Sequence, residues 1–371
     1  MSARIRVGII GVNPTHGWAS TTHIPALKSL PGFQLVALAT AHDETAQRAG
    51  RHFKVAHAYG DYRQLIKRSD VDLVVVCVRA MKHFELVSAV IDAGKHVYCE
   101  WPLGSSTAEA NELARRANIR GVRHVVGMQG RGSPVLNYAR DLVISGEIGR
   151  VIGATLTVPL WIWGKPLTAD ESYKADIRNG VTALTITGGQ ALDALCFCAG
   201  ELKSVSAIVA ATRGSTTNVE SGERIDVTAP DQVVVIGDLV DGGVANMHIK
   251  AGTGNPAGIR FEIAGSDGDI LIDSILDQPP VGIHRSNLQI KIARGTTGGY
   301  RRITPPDAYV FVPPNTPPNP CFNVAQLYAH FEKTLANGEE MIPNFVTAAR
   351  RRDLLDTVQR ASDTGQRQTV V

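Results

Sequence analysis

The sequence predicts two domains of different class. Residues 1–128 read as an α/β domain with a doubly wound parallel sheet, and residues 129–371 as an α+β domain with an open antiparallel sheet and flanking helices. Three observations predict this. A chain of 371 residues exceeds the roughly 250 to 300 residues at which a single core divides. Up to Met128, short β-branched runs alternate with helix-length segments; after Gly127 the pattern changes to strand-like pieces separated by turn signals.

In order, "RVGIIG" is followed by the helix-like "THIPALKSL", "FQLVALAT" by "DETAQRAGRHF", "DLVVVCV" by "KHFELVSAVIDAG", and "HVYCE" by "STAEANELARRAN" and "RHVVGM". Strands apolar throughout, each joined to the next by a helix, make a parallel sheet covered on both faces, which is a nucleotide-binding architecture. Beyond it, the helical "SPVLNYARDLVISGEIG" leads to strand-like "IGATLTVPLWIW", "KSVSAIVA", "DQVVVIGDLV", "GGVANMHIK", "RFEIAGSDGDILID" and "LQIKIA". Turn signals such as "DGG" and "SDGD" give the reading of an antiparallel sheet. A helix is expected at about 182–199 and two more near 324–336 and 345–364; the proline-rich "VPPNTPPNP" cannot join a central strand.

Composition excludes several classes. A net charge of +3 with scattered basic residues, apart from Arg350, Arg351 and Arg352, lacks the footprint of a nucleic-acid surface. The N-terminus enters a strand directly, without the apolar core of a signal peptide, and no window approaches about 18 apolar residues. A soluble cytoplasmic protein with no nucleic-acid or membrane partner is expected. Five cysteines without metal-ligand spacing, Cys196 and Cys198 among them, read as thiols in a reducing compartment, with no metal.

The first strand ends in "GIIGVNPTHGW". In a dinucleotide loop, glycines permit a tight turn and close approach to pyrophosphate, and a helix N-terminus carries the anion. Here Gly8 and Gly11 precede Val12, Asn13 replaces the second loop glycine, and Gly17 comes one residue late, before Trp18. Asn tolerates left-handed backbone better than most residues. At the end of the second strand, "LATAHDE" offers no carboxylate for a ribose hydroxyl. Asp43 is expected to cap the next helix, while Thr40 and His42 could receive a 2'-phosphate, which favours NADP over NAD.

With these segments in place, "GKHVYCEWPL" and the β-rich second half make the chain resemble the glucose-fructose oxidoreductase, inositol dehydrogenase and MocA (Gfo/Idh/MocA) family. It is most similar to the branch containing the fungal galactose-regulon repressor, through "GVNPTHGW", "THIPAL", "CEWPL", "MQGRGSPVLNYARDLVISGEIG", "NGVTALTITGG" and "PDQVVVIGDLVDGG". The resemblance implies a Rossmann domain for NAD(P) and an open sheet whose outer face often makes oligomers, a dimer or tetramer. It also implies a last helix, within "IPNFVTAARRRDLLDTVQRASDTG", that returns to the domain junction.

The resemblance also isolates an anomaly. The family usually reads Glu-Lys-Pro where this chain has Glu100, Trp101 and Pro102, and carries an aspartate and a histidine where this chain has Ile186 and Gln190; Asp193 keeps an acid one turn on. Neither indole nor carboxamide takes a proton from an alcohol near neutral pH. Trp101 either packs in the core or faces the nicotinamide and substrate. Replacement proton carriers are sought in "WIWGKPLTADESYKADIRNG", with Lys165, Tyr173, Lys174, Asp176 and Arg178; Trp161, Trp163 and Tyr173 would suit a sugar ring or an aromatic substrate. The resemblance puts Glu100, Gln129 and His83 on the cofactor side, although an exposed structural role is open for His83; His248 reads as a sheet residue.

Three functions follow. One is an NAD(P)-dependent oxidoreductase of a sugar, polyol or related cyclic alcohol or ketone, with Trp101, Tyr173, Lys174, Gln190 and Asp193 at the reacting centre. The second is a cofactor-binding regulator without turnover. The third is a redox-neutral lyase that keeps the cofactor.

Overall fold

A computed structural model describes residues 4–160, 165–252, 257–275, 281–295 and 298–370; Trp161 and Trp163 lie outside them. The chain divides into two units, Met1–Gly132 with Val310–Arg352, and Ser133–Tyr309 with Asp353–Val371.

The first unit holds strands β1 (Ile5–Ile10), β2 (Phe33–Ala39), β3 (His57–Tyr59), β4 (Leu73–Val76), β5 (His96–Glu100) and β6 (His124–Gly127). All pair in parallel, in the order β3-β2-β1-β4-β5-β6. Helices between the strands cover the faces, so β4, Leu-Val-Val-Val, is buried at every position. Local signals close these helices. Ser106 accepts from the Glu109 N–H at 3.2 Å at the start of Thr107–Arg120, and Gly121, at φ +69, ends it; such a cap is worth about 1 kcal/mol.

Strand order reverses between β1 and β4, and in open α/β sheets ligands bind at the carboxyl ends of the strands at that point. Gly11, Thr40, Cys77, Trp101 and Met128 are the residues that follow those ends.

Residues 310–352 belong to this first unit, which corrects a simple split after 128. The reason is packing: Val324, Leu327, Tyr328 and Phe331 of the helix Cys321–Asn337 are buried in the same cluster as Ile9, Phe33 and Tyr98. The last helix, Phe345–Thr364, contributes its first eight residues here and the rest to the second unit.

The second unit is a nine-stranded sheet with helices. Its strands are β7 (Val151–Leu160), β8 (Leu202–Ala210), β11 (Gln232–Leu239), β12 (Val244–Ala251), β13 (Arg260–Gly265), β14 (Gly268–Ser274), β15 (Leu288–Arg294), β16 (Arg301–Ile303) and β17 (Gln368–Thr369); β9 (Ser215–Thr217) and β10 (Arg224–Asp226) form a separate ribbon. The order is β16-β15-β14-β13-β7-β12-β11-β8-β17. The sheet is mixed, because β7 and β12 run parallel while every other pair is antiparallel. The period-2 pattern that identified these strands carries no direction, so the one parallel pair was not visible in it. Among the described residues no helix is long and apolar enough to cross a membrane, and all five cysteines are free.

Candidate functional site

Gly11 leaves β1 at φ +99, and a Cβ there would stand 2.1 Å from the Cys77 carbonyl oxygen. Only glycine fits, and its N–H donates to Ala39 O at 2.9 Å, fixing the start of the loop between β2 and β4. Val12 is buried in the core and shapes the loop from behind. Asn13 does not use the left-handed backbone that Asn tolerates; among described non-glycine residues only Lys54 has positive φ. Its side chain organises the loop instead. Oδ1 accepts from Thr15 N at 3.0 Å, Thr15 Oγ1 at 3.1 Å and His16 N at 3.3 Å, and the Asn13 carbonyl accepts from Ser20 Oγ. Gly17, at φ +92, and half-buried Trp18 lead into the helical turn Ala19–His23 and the helix Ile24–Ser29.

At the end of β2, Thr40 Oγ1 donates to His42 O at 2.8 Å, and His42 is exposed. Asp43 does not cap the next helix. It lies inside the first turn, one residue past the capping position, and its Oδ1 accepts the Gly60 N–H at 2.9 Å. His83 is buried rather than exposed, with Nδ1 2.7 Å from Pro102 O and Nε2 3.0 Å from Val78 O. Burial holds its pKa below the usual histidine value. A neutral imidazole has one N–H, so it donates to one of these two carbonyls and only lies against the other.

The centre of this unit's polar chemistry is the end of β5. Glu100 Oε1 is 3.0 Å from His23 Nε2, and Oε2 accepts from Gln129 Nε2 at 2.8 Å. Gly127 makes room, since a Cβ there would come 2.5 Å from Glu100 Oε1. His23 Nδ1 is 2.7 Å from Tyr328 Oη, and both side chains are wholly buried. Burial raises the Tyr328 phenol well above its usual pKa, so the hydroxyl stays protonated; with the imidazole proton on Nε2, Tyr328 Oη–H donates to Nδ1 and Nε2–H donates to Glu100. The Tyr98 ring stands edge-on to His23 with centroids 5.0 Å apart, and its buried hydroxyl has no hydrogen-bond partner among the described residues. Trp101, the next residue, is 7% exposed.

Sequence reasoning named Glu100 and Gln129 but missed His23 and Tyr328. His23 stands inside the quoted "THIPAL", whereas Tyr328, 305 residues further on, has no local signal of the contact.

In the second unit, Thr182 and Thr185 exchange side-chain-to-backbone bonds at 2.9 and 3.1 Å, opening a wide helical turn, Ala183–Gly188, that runs directly into the α-helix Gly189–Ala199. Such wide turns recur at functional sites. Gln190 and Asp193, three apart on that helix, are buried; Ile186 is half-buried. Tyr173 and Lys174 are half-buried in the short turn Ala169–Ala175, and Lys174 Nζ is 2.7 Å from Glu171 Oε1. Arg178 is exposed and paired with Asp176 at 2.6 Å. His248 lies on β12, its pKa lowered by burial and then by Lys250. Among the described residues no group of three or more His, Cys, Asp or Glu could hold a metal ion.

The loop has the tight glycine turn of a dinucleotide loop at the strand-order reversal, because a Cβ at Gly11 would collide with the Cys77 carbonyl. Comparisons with known proteins agree. Residues 5–128 match an oxidoreductase family with an NAD-binding Rossmann fold, and residues 134–274 match the C-terminal domain of Gal80p. Dehydrogenase aclE of Aspergillus oryzae is 36% identical over 56% of this chain and 58% of aclE, so this chain spans less than two thirds of that relative. The galactose/lactose metabolism regulatory protein GAL80 of Saccharomyces cerevisiae is 27% identical over 73% of this chain and 67% of GAL80. A levoglucosan dehydrogenase in complex with NADH and levoglucosan superposes with a TM-score of 0.85 over 99% of both chains at 21% identity, a likeness of fold.

Proposed function

The chain belongs to the Gfo/Idh/MocA oxidoreductase family, with a Gal80p-type C-terminal domain, and from that premise we propose that it oxidises a sugar, polyol or related cyclic alcohol, or reduces the corresponding ketone, with a nicotinamide cofactor. The observation that carries this reading is the hydrogen-bonded chain Tyr328–His23–Glu100 at the carboxyl end of β5. It supplies proton-handling groups beside the position where Trp101 replaces lysine. Gly11, Asn13 and Gly17 would hold the pyrophosphate, and Thr40 and His42 the adenosine ribose, with NADP preferred because Asp43 is committed to Gly60 N. A bound nicotinamide would accept the hydride. The hydroxyl proton of the alcohol passes to the Glu100 carboxylate, which His23 and Gln129 hold in place. The substrate is sugar-like or aromatic. Lys174 is engaged by Glu171 and is a weaker proton carrier than Glu100. A cytoplasmic homo-oligomer, built through the open sheet face, completes the reading.

A second reading is a cofactor-binding regulator without turnover. It is favoured by Trp101, a buried indole in place of a proton carrier, and by the likeness to GAL80. Nicotinamide absorbance over time, with NADP or NAD and a panel of sugars, polyols and aromatic alcohols, separates the two. Turnover by the wild type, lowered about 10²- to 10⁴-fold by Glu100→Gln, is expected for the enzyme. Cofactor binding with no turnover across the panel by wild type and Trp101→Lys alike moves the balance to the regulator.

A further inference from the structure

Away from the Rossmann unit, the second unit contains a recess whose chemistry the oxidoreductase reading does not use. Lys165, Lys174 and Arg213 line it together with Leu167, Val227 and Pro230, around a small space of about 30 Å³ that is partly open to solvent. Its walls come from separate stretches of chain that the backbone ties together. Leu167 N–H donates to Thr217 O at 2.9 Å, Thr216 Oγ1 to Lys165 O at 3.2 Å, and the N–H groups of Thr228 and Ala229 to Ala175 O at 2.9 and 3.0 Å.

The charged groups at the recess are held unequally. Glu171 is shared by two lysines, with Lys174 Nζ at 2.7 Å and Lys165 Nζ at 3.7 Å. Buried Asp231 also contributes to the lining, but its oxygens are taken by neutral donors: Thr212 N at 3.0 Å, Thr212 Oγ1 at 2.9 Å and Arg213 N at 3.0 Å. Those bonds fix the backbone that carries Arg213. The Arg213 guanidinium itself, half-buried, makes no hydrogen bond or ion pair with any other described residue. That guanidinium is a planar fork of donors suited to a two-oxygen acceptor.

We propose that this recess binds a small oxyanion, the carboxylate or phosphate group of a ligand, held by the Arg213 guanidinium with Lys165 and Lys174 alongside it. The apolar wall formed by Leu167, Val227 and Pro230 accommodates the carbon part of such a ligand. Arg213 supplies the geometry, so lysine at this position keeps the charge and loses the paired contact.

The test uses the full chain and four probes: inorganic phosphate, sulfate, acetate and benzoate. Each is titrated by thermal melting at low millimolar concentration against sodium chloride of equal ionic strength. At least one oxyanion is expected to stabilise the wild type saturably. Its half-saturation should rise tenfold or more in Arg213→Gln and by an intermediate factor in Arg213→Lys. Arg178→Gln, which removes an exposed guanidinium outside the recess, should match the wild type. Preference for phosphate and sulfate identifies a phosphorylated ligand or free phosphate, and preference for acetate or benzoate an organic acid; either upholds the site. A response that chloride reproduces, no response, or a titration unchanged in Arg213→Gln overturns it.

Discussion

Glu100 Oε1 and His23 Nε2 lie 3.0 Å apart, with His23 wholly enclosed and the Glu100 side chain 12% exposed. The nearly buried carboxyl group is therefore held by hydrogen-bonding partners from two elements, the helical turn Ala19–His23 and the segment after β6 that carries Gln129. Burying a carboxylate without such donors would cost several kcal/mol.

Removing that network piece by piece has graded consequences. Glu100→Gln keeps the shape and a hydrogen-bond acceptor but cannot take a proton; turnover with any accepted alcohol should fall by about 10²- to 10⁴-fold, with cofactor affinity changed less than about tenfold. Tyr328→Phe leaves His23 Nδ1 buried without its donor, costing about 1 to 3 kcal/mol. Urea unfolding would read that loss, and kcat against pH would show whether the tyrosine also acts on proton transfer. An unaltered pH profile together with the stability loss would make Tyr328 structural only.

The two loop glycines should differ. Gly11 and Gly17 both have positive φ, but a Cβ at Gly11 meets the Cys77 carbonyl at 2.1 Å, whereas at Gly17 the nearest atom is Asn13 Cβ at 3.9 Å. Gly17→Ala should therefore pay only the left-handed backbone cost, about 1 to 2 kcal/mol. Gly11→Ala must also displace the β4 end, so nicotinamide affinity, read by NADPH fluorescence, should fall more than tenfold and further than for Gly17→Ala.

The same loop shows how far the sequence could be read. Strands such as Leu73–Val76 were legible because residues buried on both faces leave an uninterrupted apolar run. The turn at Gly11 was legible because it follows such a run. The role of Asn13 was not, since an Asn can occupy a left-handed position or organise a turn with its side chain, and composition does not separate the two. His83 was likewise ambiguous until its two carbonyl neighbours were in place. Tyr328 illustrates the limit: its partner His23 is 305 positions away, and a long-range contact leaves no periodic trace in one sequence. The assignment of 310–352 to the second domain failed for the same reason.

Acid should weaken the fold through His124. Burial, and then the Arg123 charge, lowers its pKa to about 4. The neutral ring is used at both nitrogens, accepting from Phe345 N at 3.1 Å and lying 3.0 Å from Asn118 Oδ1. His284, buried and beside Arg285, is pushed down to about 3. With folded values below the unfolded value near 6.5, the unfolded chain binds protons first as pH falls. Stability is thus full above about pH 6.5 and declines toward pH 4, by about 3 kcal/mol for His124. Denaturant midpoints at pH 7.5 and 5 would measure it, and His124→Asn should flatten the slope; equal slopes would remove His124 as the cause.

The outer face of the second unit's sheet makes a prediction about assembly. Ile208 on β8, Ile236 on β11 and Val244 on β12 are 63%, 54% and 61% exposed. Pairing places them on one face, because Ile236 stands opposite Ser206 and Asn246, each two residues from Ile208 and Val244. Apolar side chains grouped on a flat sheet between Ser206 and Asn246 are expected to be covered by another copy of the chain. Light scattering should give a dimer or larger species for the wild type, and Ile236→Lys should lower the mass by placing a charge at the centre of the contact. The same substitution faces solvent in an isolated chain, so it should cost a monomer less than about 0.5 kcal/mol. A monomeric wild type would refute the assembly, and an oligomer unaffected by Ile236→Lys would place its interface elsewhere.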